Sequence, residues 1–428
     1  MTRHGLMMST FAAALLAGGV LAGTHAARAV DGVVVDHPGQ IYQIDPDHLP
    51  PTPPYGRYGA FPKKIPRPAG ALPEVPEGFS VNLYADGLTY VRWLAVAPNG
   101  DLFASEPDKD AGKITILRDS KGTGKADQKF TFSNTFFDHP HGVAFHNGYL
   151  YVGDLKGIWR MPYKTGMTSM TGTPERVTSK VDDLRPGPGH DMRDFAFGED
   201  GTIYLGVGAR DNVSDFKPGA QVFKVNKDGS MSEFASGIRN AVGIAVQPGT
   251  NNLYVAVNER DGLGDQLPPE YMTLVKQGDF FGYPYAFIGK HPDPVWAAKD
   301  PGGMIAKSKT PDVIIQAHSA PTGLTFYTGK QFPKEYWGDA FVSLHGSVHS
   351  NQPTGYKVIR VHFVKGKPQN SYENFLTGFW DGAGNNKPGS LPQVWGRPVG
   401  IAVAKDGSLL IADDQENVVW RVAYTGKK

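Results

Sequence analysis

The sequence predicts an all-β fold, a six-bladed β-propeller, on three observations. Short apolar runs recur in pairs, each pair joined by a tight Gly-containing turn, often Asp-Gly or Asn-Gly. The pairs return six times, at spacings of roughly 40 to 75 residues. No convincing amphipathic helix separates them, so the repeat is built of strands and its period suits propeller blades. Gly (53) and Pro (34) are abundant among the 428 residues, as many strands punctuated by turns require.

The first element in chain order is a targeting segment. Arg3 and His4 precede an apolar run, Phe11–Gly23, and Ala27-Arg28-Ala29 closes it with small residues. Residues 1–29 therefore read as a secretory signal peptide, which places the mature chain in the periplasm or outside the cell. The run is short for a membrane span and no other stretch approaches about 20 apolar residues, so no span is expected in the mature chain. The absence of cysteine excludes disulfides, thiolate metal sites and covalently attached c-type haem. Residues 30–77, with Pro50, Pro51, Pro53, Pro54, Pro66 and Pro68, read as a Pro-rich extended arm, and 78–428 as the propeller.

The six units are YVRWLAVAPNGDLFASE (90–106), HPHGVAFHNGYLYVGD (139–154), DMRDFAFGEDGTIYLGVG (191–208), NAVGIAVQPGTNNLYVAVNE (240–259), APTGLTFYTG (320–329, completed by 339–346) and RPVGIAVAKDGSLLIADD (397–414). Third strands follow in most units, at Lys113–Arg118, Gly157–Arg160, Gln221–Val225 and Val418–Val422. The connection Leu263–Asp312 is too long for a turn and is expected to form a lid or rim over one face. Phe79–Tyr84 is expected to pair beside Val418–Val422, so that both chain ends complete one blade and close the ring.

In a propeller the inner strand of each blade lines the axis, so the residues just before each inner strand gather at one mouth. Here they are Tyr90–Arg92, Asp138–His141, His190–Arg193, Arg239–Asn240, Ser319–Thr322 and Arg397. Loops after the second strands add Glu106, Arg210-Asp211-Asn212, Glu259-Arg260-Asp261, His345 and Asp413-Asp414. Cations gathered in one concavity repel one another unless an anion sits among them. Either interblade salt bridges to Asp138, Asp191 and Asp194 supply it, or a small polyanionic ligand does.

Several of these segments carry a family resemblance. GHDMRDFAFGEDGTIYLGVG, SGIRNAVGIAV, VNERDGLGDQLPPEYMTLVKQGDFFGYPY, HSAPTGLTFYTG, LHGSVHSNQPTGYKV and WGRPVGIAVAKDGSLLIADD are similar to the soluble glucose/L-sorbosone dehydrogenases that use pyrroloquinoline quinone (PQQ). The resemblance runs from about Arg67 to about Val422. It implies a PQQ cradle contacted by Arg239, Asn240 and Arg397, with His190 as the general base toward a sugar. A Ca²⁺ would be held near Asp261 and Gly262, partly by backbone carbonyls. Arg193, Arg92 and His345 are assigned more loosely to cofactor or substrate contact. The three carboxylates of PQQ suit guanidinium partners, which bind bidentately and keep their charge.

Three positions depart from the glucose-oxidising branch and favour the sorbosone-like one. Gly189 replaces an acidic residue before His190, Val242 replaces a cofactor-binding glutamine, and Val399 replaces a second arginine. Phe280, Phe281, Tyr283 and Tyr285 are candidates for stacking on a sugar ring, or for packing.

The leading expectation is a PQQ- and Ca²⁺-dependent oxidoreductase acting on an aldose or sugar aldehyde, with a soluble or membrane-linked electron acceptor. A Ca²⁺-dependent propeller lactonase and a non-catalytic binding propeller are the alternatives. The formal charge of +1 offers no global field for nucleic acid. A nicotinamide enzyme is disfavoured, because GAGNNKPG (382–389) lacks the third glycine in place and no βαβ pattern surrounds it.

Overall fold

The computed structural model describes residues 29–30, 33–56, 59, 62–107, 112–180, 184, 190–351, 353–380 and 393–427. The signal peptide, except for Ala29, lies outside the described residues, as do Gly189 and the segment 382–389. The rest is an all-β propeller of six antiparallel blades.

Six inner strands surround the axis: Leu94–Val96, Val143–His146, Phe195–Phe197, Ala241–Val246, Pro321–Phe326 and Pro398–Val403. Each touches the next in cyclic order, the sixth returning to the first. Every blade then builds outward to a second, third and fourth strand. Second strands such as Leu102–Glu106 and Leu253–Val257 are buried along their whole length, because blades stack on both faces of each sheet. The core is accordingly distributed between blades: Phe341, Phe375, Ile411 and Trp420 join blades five and six, while Tyr204, Val222, Val255 and Tyr271 join three and four.

Glycines on the inner strands set how closely the blades converge. A Cβ on Gly323 would lie 2.2 Å from the Val399 carbonyl oxygen, and one on Gly400 would lie 2.5 Å from that of Arg92. Only glycine permits this approach. The Gly400 N–H donates to the same Arg92 carbonyl at 2.9 Å, tying blade six to blade one.

Ring closure follows the expected route. Gly78–Ala85 is the outer strand of blade six, antiparallel to Val418–Lys427, with Leu83 opposite Trp420 and Val81 opposite Val422. Both chain ends thus share one sheet, and the edge each would expose alone is paired.

The Pro-rich arm also contributes strands. Ile41–Tyr42 adds a fifth strand to blade five, where Tyr42 stacks on Tyr372 at 5.2 Å, and Lys63–Lys64 pairs in parallel with Gln393–Val394. The buried Lys357 ammonium meets arm residue Asp36 at 2.9 Å.

The connection Leu263–Asp312 forms a rim rather than a free lid. It contains the third strand of blade four, Glu270–Val275, then Asp279–Phe280, which extends blade three in parallel to Met231–Ser236. No described helix is long and apolar enough to cross a membrane.

Candidate functional site

Blade three positions the histidine. The His190 Nδ1 faces the carbonyl oxygen of Ala209, an acceptor, so this nitrogen carries the proton and donates it. The bond fixes the tautomer and leaves Nε2 free to accept. Burial first, then the Arg239 guanidinium, lower the His190 pKa to about 4, so the ring is neutral at pH 7. Gly208 lets the loops meet: a Cβ there would lie 2.3 Å from Asn240 Oδ1 and 3.0 Å from His190 Cβ. His190 and Asn240 therefore converge over one glycine.

Arg239, on the leading loop of blade four, is buried but touches no carboxylate. Its Nε donates to the Asn212 carbonyl at 3.0 Å, Nη1 to the Glu259 carbonyl at 2.8 Å, and Nη2 to Asn212 Oδ1 at 3.2 Å. Asn212 is fixed in turn, since its Oδ1 accepts the Asp261 N–H at 2.8 Å and its carbonyl accepts from the Tyr283 hydroxyl at 3.3 Å. Arg397 is held the same way: Nε donates to the His345 carbonyl and Nη2 to the Gly346 carbonyl, both at 2.9 Å. Among the described residues, neither arginine forms an ion pair. Two oriented guanidinium groups thus keep their positive charge at the mouth.

The other side of the mouth is charge-balanced. Arg92 pairs with Asp414, and His345 Nε2 lies 2.9 and 3.0 Å from the two Asp414 oxygens. Burial would raise the Asp414 pKa, but His345, Arg92 and Arg397 outweigh it and hold the carboxyl well below its usual range. The His345 pKa falls to about 4, through burial first and then Arg397. The Met192 sulfur, 2.8 Å from Arg92 Nη2, joins this network to the His190 loop. Of the carboxylates expected to neutralise the ring, Asp138 pairs with His139 at 2.9 Å and Asp194 accepts the Ile244 N–H at 3.1 Å.

One expectation needs correction, and one left open is settled for three of its four residues. Arg193 is fully buried and has no surface to present to a ligand. Its guanidinium donates to the carbonyls of His190 and Met192, both at 2.7 Å, and to that of Leu184, so it braces the His190 loop from behind. The aromatic cluster is packing: Phe280, Phe281 and Tyr283 are buried, and Tyr271 stacks on Phe281 at 6.0 Å. The Tyr283 hydroxyl still matters, because it clamps the Asn212 loop that aims Arg239.

At the Asp261–Gly262 loop the backbone carbonyls have protein partners. The Asp261 carbonyl accepts from Asn212 Nδ2 at 3.0 Å and Arg260 Nε at 3.2 Å, which takes both lone pairs. Among the described residues, the Gly262 carbonyl accepts the Gly56 N–H, at 3.3 Å, which leaves it one lone pair. The Asp261 carboxylate faces His318 Nδ1 at 3.2 Å, and its pKa stays low although burial opposes this. Glu259 Oε1 and Glu270 Oε2 are buried nearby without a hydrogen-bond partner. Burial pushes the Glu259 pKa up to about 7 and raises that of Glu270 well above the ordinary value. Val242 and Val399 are both buried in inner strands.

Sequence reasoning placed Asn212 in the second ring but gave it no role. Hydrogen bonds made across blades carry its importance, and these leave no local pattern.

Comparison with known proteins agrees with this fold. The TrAA12-like family model matches residues 73–291 and 303–425. A protein of Borreliella burgdorferi with no stated function is 28% identical over 368 residues, covering 82% of this chain and 90% of its own length. The calcium structure of the Trichoderma reesei carbohydrate-active enzyme of family AA12 superposes with a TM-score of 0.66 at 18% identity, over 82% of this chain and 97% of that one. The holo form of the PQQ domain of pyranose dehydrogenase from Coprinopsis cinerea gives 0.66 at 19%, over 86% and 100%. The PQQ-bound aldose sugar dehydrogenase of Streptomyces coelicolor gives 0.57 at 18%, over 82% and 99%. With four-fifths of its length inside the family model, the chain belongs to the TrAA12-like family.

Proposed function

We propose that the chain is a PQQ-dependent dehydrogenase that oxidises an aldose or sugar aldehyde, of the kind represented by L-sorbosone, outside the cytoplasm. One observation carries this reading. Arg239 and Arg397 are oriented by neutral oxygens and form no ion pair among the described residues, and Arg239 acts on a histidine whose Nε2 is left to accept. A planar quinone with three carboxylates fits that donor set, and Asn240 adds a neutral amide beside it. The export signal at the N-terminus and the structures of PQQ enzymes with the same fold support it further.

Ca²⁺ fits the Asp261–Gly262 loop in kind, since every donor there is oxygen. The Gly262 carbonyl and the Asp261 carboxylate would hold it, while the Asp261 carbonyl is already engaged. When bound, the cofactor supplies the hydride acceptor for the sugar carbon.

The chain's own residues do the rest. His190 accepts the sugar hydroxyl proton at Nε2, while the Ala209 carbonyl holds the ring in the accepting tautomer. Arg193 fixes the backbone on which His190 stands. Arg239 and Arg397 bind and orient carboxylates, and Asn212 and Tyr283 keep Arg239 in place. Adding PQQ and Ca²⁺ to the purified protein and following dye-linked oxidation of a sugar panel tests the proposal. Sugar oxidation supports it, whereas lactone hydrolysis or inert protein that binds no PQQ overturns it.

A further inference from the structure

Residues 33–56 of the arm precede the stretch that the family model matches, which begins at residue 73. Their first half is fastened to blade five and the rim. Asp36 meets the Lys357 ammonium at 2.9 Å and Asn374 Nδ2 at 3.0 Å, and the Pro46 carbonyl accepts from His291 Nε2 at 2.7 Å. Leu49, Pro50 and Pro53 then line a cavity of about 830 Å³ together with Leu263, Leu267 and Ala317, so this span is not packed flat on the propeller.

The arm closes again on the Asp261–Gly264 loop. Gly262 and Gly264 have left-handed backbones, with φ of 97° and 93°, which glycine adopts at no steric cost. Arm residues lie against the bare faces these glycines leave. A Cβ on Gly262 would lie 2.8 Å from Tyr55 Cε2 and 3.3 Å from the Gly56 carbonyl oxygen, and one on Gly264 would lie 2.7 Å from Pro53 Cγ. The Gly56 N–H donates to the Gly262 carbonyl. Past the loop the arm is fixed once more, since a Cβ on Gly59 would fall 2.1 Å from the Ser350 nitrogen.

Tyr55 reaches both residues of the candidate Ca²⁺ loop. It lies directly on Gly262, and it acts on Asp261 through Arg260. The Arg260 guanidinium sits 5.3 Å from the Tyr55 ring centroid, pairs with Asp293 and donates from Nε to the Asp261 carbonyl at 3.2 Å. Tyr55 itself is 61% exposed, so its ring adds little to any core. A loop with two such glycines has many conformations open to it when unfastened, and contacts behind a metal's ligands set their orientation.

We propose that the arm is part of the cation site, with Tyr55 as a positioning residue that holds the Asp261–Gly262 loop in the shape that binds Ca²⁺. Affinity for the cation then depends on a segment from outside the ring of blades. The proposal rests on the Ca²⁺ assignment in the dehydrogenase reading above.

The test uses the full chain in two states. In the cofactor-free protein, Ca²⁺ is titrated against bound Tb³⁺, whose luminescence reports occupancy, and Asp261→Ala marks the signal that belongs to this loop. Tyr55→Ala should weaken Ca²⁺ about tenfold, as loss of a contact behind a metal ligand does, and leave the denaturant midpoint measured in chelator unmoved. Tyr55→Phe keeps the ring and should bind as the wild type does. With PQQ present, the Ca²⁺ concentration that gives half of the quinone absorbance change should rise by the same factor in Tyr55→Ala.

If the loaded enzyme oxidises aldoses and Tyr55→Ala needs no more Ca²⁺ than the wild type, the arm assignment falls and the dehydrogenase reading stands. If PQQ does not bind, yet Tyr55→Ala loses Ca²⁺ affinity and Tyr55→Phe keeps it, the arm assignment holds and the dehydrogenase reading falls. If affinity and denaturant midpoint fall together in both variants, the ring is only structural and the proposal is overturned. Unchanged Ca²⁺ binding by Asp261→Ala overturns it as well, because the cation then sits elsewhere.

Discussion

Two groups of residues at the mouth use arginine and histidine in opposite ways: His190, Arg239 and Arg397 on the one hand, Arg92 and His345 on the other. Arg239 hangs from neutral carbonyls and His190 from the Ala209 carbonyl, so neither meets a carboxylate. Arg92 and His345 both close on Asp414, which balances the Arg92 charge and accepts a hydrogen bond from the neutral His345 ring. The same side chains at equivalent loops thus do different work. A guanidinium held by dipoles is a waiting binding site, whereas one buried against a carboxylate is part of the frame.

The largest expected effect separates chemistry from binding. His190→Ala should lower turnover about 10²- to 10⁴-fold, the contribution of a positioned base, while PQQ still titrates the protein with its characteristic absorbance change. Unaltered turnover would remove His190 from the reaction.

The comparison is broken most directly by Arg92→Ala. It strands Asp414 without its guanidinium, so the protein should lose about 3–5 kcal/mol of stability, seen as an earlier denaturant midpoint. Arg239→Ala should reduce PQQ affinity about 10- to 100-fold, as loss of a charge-assisted pair predicts, beside the stability lost with its hydrogen bonds to Asn212 and Glu259. If Arg92→Ala weakens PQQ as much as Arg239→Ala does, the two groups are not distinct.

The pH profile sharpens the point. With its pKa lowered to about 4, His190 is an acceptor throughout pH 5–8 and is lost as a base only as pH falls through about 4. The kcat/KM should therefore hold level down to about pH 5 and then decline. An acid limb near the ordinary histidine value of about 6.5 would show that neither burial nor Arg239 acts on the ring.

The smallest effect is expected from Tyr283→Phe. It removes a hydroxyl that clamps the Asn212 loop, so PQQ affinity should fall about threefold, the scale of one neutral hydrogen bond. Titration of activity against added cofactor measures it.

Much of this was legible in the residues alone. Six turn-linked strand pairs specified the propeller, circular symmetry gathered the residues just before each inner strand at one place, and the family resemblance singled out His190, Arg239, Asn240 and Arg397 among them. What the sequence could not convey was how each charge is partnered. Arg193 and Arg397 both precede inner strands, yet one is sealed behind its loop and the other faces the mouth. Asp414 and Asn212 act across blade boundaries. The prolines of the arm indicate an extended segment but not its pairing: Ile41–Tyr42 takes the edge of blade five and Lys63–Lys64 forms a two-stranded sheet with Gln393–Val394.

The sharing of one blade between Gly78–Ala85 and Val418–Lys427 has a consequence for how the molecule is made. While the chain is being synthesised, the first strand of the ring has no partner until the last one emerges, and five blades must wait as an open crescent. Secretion in an unfolded form would suit such a protein, since nothing locks until both termini have arrived. Once they meet, pulling either end loads the hydrogen bonds of a single sheet, and that seam is where the ring would first come apart.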